Sequence, residues 1–165
     1  MKKIIVMLLA LLPLGMVAQE LKIAFVKRME IFNVMPEVSK MESDLAVLKT
    51  QYETNLKRLQ DEYTQKMDEY MRQQDSLPEN IKMLRVQEIE NIAERSQGLQ
   101  QAFYQDMEEQ QNKMMAPIME KMQKAIDQVG EENGYTVIID SQVILYIGKT
   151  AIDATDKVKA KMGLK

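Results

Sequence analysis

The residues here best suited to moving protons or holding ions are carboxylates. Neighbouring acids recur at Asp61-Glu62, Asp68-Glu69, Glu88 with Glu90, and Glu108-Glu109. Two carboxyls held close in a pocket can divide into an acid and a base, because burial and repulsion separate their pKa values. These acids sit instead in strongly polar helical sequence, where pairing with Lys and Arg at i,i+4 is the expected use. The chain has no His and no Cys. That removes Ser–His and Cys–His nucleophile pairs, an imidazole base, zinc on nitrogen or sulfur ligands, and disulfides. No loop has the spaced Asp/Asn and Gly of a calcium site, and no phosphate-binding Gly loop or nucleophile elbow occurs. The expectation is a protein that is not an enzyme and takes no cofactor or metal.

Methionine is the other residue type that stands out, with 15 among 165 residues. Its flexible, polarizable thioether adapts to many shapes, which suits both irregular packing and promiscuous binding. The candidate binding residues are Met67, Tyr70, Met71, Met83, Met107, Met114, Met115 and Met119. Met71, Met83, Met115 and Met119 fall off the helical seam described below, so packing of that seam does not account for them.

These residues must be carried by helices. Gly (6) and Pro (4) are few, and Leu, Met, Ala, Glu, Gln and Lys are heavily used, a composition of long helices. From Val38 the apolar residues run Met41, Leu45, Leu48, Tyr52, Leu56, Leu59, Tyr63, Met67, Tyr70. Steps of three and four make one narrow stripe, enough for a seam against a second helix and too little for a globular core. Ser76 and Glu79 have capping-box spacing, and Pro78 suits a first turn, so a turn is predicted near 73–78. The second helix is predicted to run to about Val129, with Ile81, Leu84, Ile92, Leu99 and Phe103 in its stripe and Gly130 as its stop. Two antiparallel limbs of about 40 residues extend roughly 60 Å. Their positions sum to 153 across the turn, which pairs Pro36 with Pro117 at the base. Pro117 and Gly98 are candidate hinges, because one lacks a backbone donor and the other lowers helix propensity.

Short apolar segments flank the hairpin. Lys22 to Val26 reads as a buried strand. Tyr135 to Asp140 and Val143 to Ile147 read as a β-hairpin, followed by a last helix capped by Thr150 and Asp153 and running through Met162. The expected fold is α+β, mostly α, with a small three-stranded body and a long antiparallel helical arm. The expected boundaries are 19–35 for the first part of the body, 36–117 for the arm and 118–165 for the rest. One short helix cannot cover both faces of such a sheet, so an exposed apolar face needs a partner, most simply another copy of the chain.

The N-terminus reads as an address. Lys2 and Lys3 precede Ile4 to Ala18, an uncharged run of 15 residues broken by Pro13 and Gly15. A spanning helix needs about 20 apolar residues, so residues 1–18 read as a secretory signal peptide, with no stable membrane insertion. Its removal would leave 20 basic against 25 acidic residues, a net charge of −5 in place of −3. An acidic balance disfavours nucleic acid and anionic membranes as partners.

The order of pieces resembles the Skp/OmpH family of periplasmic chaperones. The resemblance is carried by KIAFVKRMEIFNVMPEV at 22–38, by FYQDMEEQQNKMMAPIMEKMQKAIDQVGEENGYTVIIDSQVILYIG at 103–148, and by AIDATDKVKAKM at 151–162. It implies a jellyfish-shaped homotrimer in the periplasm that holds unfolded outer-membrane proteins between its arms without ATP. By position, Ile23, Phe25, Val137, Ile139, Ile144 and Tyr146 would belong to the oligomeric body. One departure concerns charge. Better-known members have positive arms, whereas Asp61 to Glu79 carries six acids against Lys66 and Arg72. Capture through Met and Tyr contacts is therefore expected over capture through positive charge. The competing reading is a structural coiled-coil protein of the cell envelope.

Overall fold

The computed structural model describes residues 21–164; the predicted signal peptide at 1–18 lies outside them. Strand β1 (Ile23–Val26) leads into a short helix α1 (Arg28–Asn33). Two long helices follow, α2 (Pro36–Gln73) and α3 (Glu79–Asn133), joined by a 3-10 turn at Gln74–Ser76. Strand β2 (Val137–Asp140), a 3-10 turn (Ser141–Val143), strand β3 (Ile152–Asp153) and helix α4 (Thr155–Lys161) complete the chain. At 1.5 Å per residue, α2 is about 57 Å long and α3 about 82 Å.

The sheet has the order β2-β1-β3 and is parallel throughout. Ile23 pairs with Val137 and Phe25 with Ile139 on one side; Ala24 pairs with Ile152 on the other. This corrects the predicted β-hairpin. Residues 144–147 form no strand, and the third strand is Ile152–Asp153. The physical reason lies in the arm. A helix that leaves and a helix that returns bring the chain back to the end of the sheet where β1 began. Thr136 N–H therefore bonds the Lys22 carbonyl at 2.9 Å, and β2 must run alongside β1 in the same direction. Leu145 and Tyr146 stand in the open, with Tyr146 83% exposed.

Along β1, Ala24 and Val26 are buried against the helices, while Ile23 and Phe25 face the other way. The core joins these two to Ile31, Met35, Val38 and Met41, then to Ile118, Met122, Ala125, Ile126 and Val129 of α3 and to Ala154 and Val158. The roots of both arm helices thus belong to the core. Each fully buried Ile, Val or Met contributes roughly 1.5–3 kcal/mol, which makes this knot the anchor of the arm.

Helix ends depart from the predicted caps. Helix α3 runs through Gly130, where Gly lies against Ile138, and stops at Gly134, which takes the left-handed φ of 62°. The Gly130 stop was one helical turn early, because only Gly134 carries the conformation that ends the ladder. Ser76 does not cap α3. Its hydroxyl donates to the Gln73 carbonyl, and Pro78 occupies the cap position. Thr150 does not cap α4. Asp153 Oδ1 accepts from Thr155 N–H, and Thr155 Oγ1 accepts from Lys27 N–H, so the helix start is tied to the end of β1. Asp153 is pushed up by burial, but bonds from Thr155 and Lys27 outweigh this and hold its pKa below the usual value.

Candidate functional site

The arm is a two-helix seam with solvent on its other sides. Leu59, Ile89 and Ile92 are buried in it. The Tyr52 and Phe103 rings pack tilted at 50° with centroids 5.2 Å apart, and the Tyr52 hydroxyl donates to Asp106. Lys66 pairs with Glu88 at 2.6 Å near the tip, and Lys121 pairs with Glu37 at the root. These pairs show the register drifting from the constant sum of 153 by about one turn. Pro117 accordingly lies beside Glu37, Lys40, Met41 and Asp44, not squarely opposite Pro36. Ile89, absent from the predicted stripe, is 6% exposed, and Leu84, included in it, is 59% exposed. Asp61, Asp68, Glu90, Glu108 and Glu109 are exposed on the polar faces. Among the described residues no group of three acids is placed to hold a metal ion.

The candidate binding residues separate into distinct places. Tyr70 lines a small crevice at the tip with Gln73, Leu77 and Ile89, and Met67 is half-buried nearby on the same helix. Met71 and Met83 are 58% and 69% exposed. Met107 is half-buried midway along α3. Met114 lines a shallow groove with Met41, Pro117 and Ile118. Met115 and Met119 converge in a second groove of about 440 Å³, whose other walls are Met29, Phe32 and Met122 with Arg28, Asp140 and Gln142 at its polar edge. Met29 and Phe32 line this groove but are not among the candidates read from the sequence. Their i,i+3 spacing in a helical turn was the available signal, since it places both on one face. Arg28 is imperfectly satisfied there: its nearest carboxylate, Asp140, is 3.9 Å away, and its buried Nε has no partner.

The sheet's outer face forms a concavity of about 710 Å³. Ile23, Phe25, Ile139, Ile144 and Tyr146 all line it. Val137, the sixth predicted body residue, lies outside it and is 40% exposed. Neither hinge candidate interrupts α3. The helix is continuous through Gly98 and Pro117, and a Cβ added at Gly98 would meet nothing within 4 Å. No helix among the described residues is long and apolar enough to cross a membrane.

No curated protein matches the chain. Among solved structures, it is similar to a Caulobacter crescentus CB15 protein assigned as an OmpH-like outer membrane chaperone. The TM-score is 0.76 at 13% identity, over 85% of this chain and 82% of that one. At that identity the likeness establishes the fold. The sequence model of the outer membrane protein (OmpH-like) family matches residues 22–162, from the first strand through the last helix, and the chain therefore belongs to the OmpH-like family.

Proposed function

We propose that this protein is an ATP-independent holdase of the periplasm, which shields unfolded outer-membrane proteins from aggregation as a homotrimer. The observation that carries this reading is the methionine groove at the arm root, walled by Met29, Phe32, Met115, Met119 and Met122. Thioether walls give many shallow contacts with little demand for one side-chain shape. Repeated on several arms around one client, weak contacts of this kind add up through effective concentration, while each releases readily. A carrier that uses no fuel needs that combination. The apolar outer face of the sheet supports self-association, since a face of this size is seldom left to water. The uncharged run at Ile4–Ala18 supports export. The acidic balance of the arm tip favours client capture through apolar contacts.

The test is suppression of aggregation. A denatured outer-membrane β-barrel protein is diluted into buffer with the purified mature chain, without nucleotide, and light scattering is followed. Strong suppression at near-equimolar trimer is expected. Unchanged scattering would leave the chain as a structural coiled-coil part of the envelope.

A further inference from the structure

Gly98 sits in the middle of α3, where Gly costs about 1 kcal/mol relative to Ala. No packing contact requires it, because an added Cβ would meet no atom within 4 Å. Gly98 lies in a shallow, open notch across the arm, floored by Leu59, Leu99 and Ala102 and flanked by Arg58 of one helix and Arg95 of the other.

Arg58 and Arg95, like Lys57 and Lys113, stand apart from the paired cations of the arm. Lys66 and Arg85 share Glu88, Lys40 pairs with Asp44, and Lys121 with Glu37. Among the described residues neither Arg58 nor Arg95 has an ion pair or a side-chain hydrogen bond. Asp61 and Glu62 lie three and four positions beyond Arg58 on the same helix, yet neither pairs with it. An apolar floor between two free planar donors matches a carboxylate that accepts from one or both of them while its neighbour rests on leucine.

We propose that the Gly98 notch docks an extended segment of unfolded polypeptide in which an acidic side chain adjoins an apolar one. This rests on the chaperone reading and gives the client a chemical preference that the methionine groove does not supply. The notch is a local exception to the acidic balance of the arm, so an acidic segment avoids repulsion there.

The test uses the full mature protein and two fluorescent peptides, identical except for Leu-Asp-Leu or Leu-Asn-Leu at the centre, at low ionic strength. Two exposed guanidiniums correspond to about a fivefold preference for the Asp peptide. The double variant Arg58→Gln/Arg95→Gln is expected to erase that preference and leave the Asn peptide unaffected. Gly98→Leu, which fills the notch, is expected to weaken both peptides. Persistence of the preference in the double variant, or unchanged binding to Gly98→Leu, overturns the proposal. So does an alkyl phosphate that binds the notch while the peptides do not, since the site is then one for lipid headgroups. Aggregation suppression is measured on the same variants with a client poor in acidic residues. Suppression retained alongside failed peptide discrimination removes the notch and leaves the chaperone reading. Peptide discrimination without any suppression removes the chaperone reading, and with it the notch as a client site.

Discussion

The Tyr52 hydroxyl donates to the Asp106 carboxylate across the two arm helices, and the Tyr52 ring packs at a tilt against Phe103, one turn away from Asp106. This cross-helix bond at the edge of the apolar seam favours one register, because a slip of one turn would break it. Its hydrogen bond to Asp106 holds the Tyr52 pKa above the usual 10. A raised folded value means that this contribution is full below pH 10 and disappears as pH rises through the folded value. Tyr52→Phe keeps the ring contact and removes the bond. Its thermal midpoint should fall modestly near neutral pH, and its alkaline loss should be shallower than that of the unsubstituted protein. A double-mutant cycle with Asp106→Asn, followed by circular dichroism, checks the coupling.

Ile92 is the most buried apolar residue of the outer arm, at 3% exposure. Ile92→Ala should cost about 2–4 kcal/mol of local stability. The arm has no second apolar layer to absorb the loss, so the effect should be confined to it. Hydrogen exchange should quicken along residues 55–100 while β1 and α4 keep their protection. Equal loss of protection in body and arm would mean that the two unfold as one unit.

The arm was legible in the sequence because its information is periodic. Steps of three and four from Val38 to Tyr70 specify a seam without reference to anything distant. The ends of elements were less legible. Gly130 and Gly134 are equally good stops on paper, and it is Gly134 that takes the left-handed φ of 62° and ends the helix. The sheet was misread for a related reason. Val143 to Ile147 is as apolar as any strand, but strand pairing is decided by where the returning arm delivers the chain, and that placed β2 parallel to β1. The methionine groove was half visible. Met115 and Met119 were recoverable from their positions off the seam, whereas Met29 and Phe32 join them only through tertiary packing of α1 on α3.

Acid should weaken the molecule and neutral pH should leave it unchanged. Hydrogen bonds from Lys159, Lys121 and Lys66 hold Glu30, Glu37 and Glu88 below the usual 4.5. A lowered folded value means stabilisation that is full above 4.5 and lost as pH falls through the folded values. Lys27 is raised above 10.5 by its bond to Asp153, so its contribution disappears only as pH rises through that raised value. The chain has no His, the side chain whose ordinary titration falls near neutral pH, and none of the shifts above moves a group into that range. Thermal midpoints taken at one protein concentration should be level across that range and drop below about pH 4.5. A midpoint that moves between pH 6 and 8 would count against these carboxylate pairs as the source of the pH dependence.

Gly98 and Pro117 give a prediction about client range. Gly98→Ala has room for its new methyl group and should stabilise α3 by about 1 kcal/mol. Pro117→Ala restores a backbone donor to the Lys113 carbonyl and should add up to about 3 kcal/mol. If both positions act as hinges, the double variant binds small clients as before and large ones more weakly. That pattern depends on client size, which separates it from the charge-dependent pattern expected of the notch. Unchanged binding of small and large clients removes the hinge role.

The outer face of the sheet offers the most direct test of assembly. Phe25 points away from the core that holds Ala24 and Val26, and it lines the same concavity as Ile139 and Tyr146. A charge placed there meets water in a single chain and a neighbour's apolar surface in an oligomer. Phe25→Glu should therefore leave helix content intact and convert the assembled form to single chains in sedimentation. Burying an unpaired carboxylate costs several kcal/mol per copy, and a symmetric interface repeats that cost at every contact. An assembly of unchanged mass would show that copies of the chain meet elsewhere, and the concavity would then be open to clients along with the methionine groove.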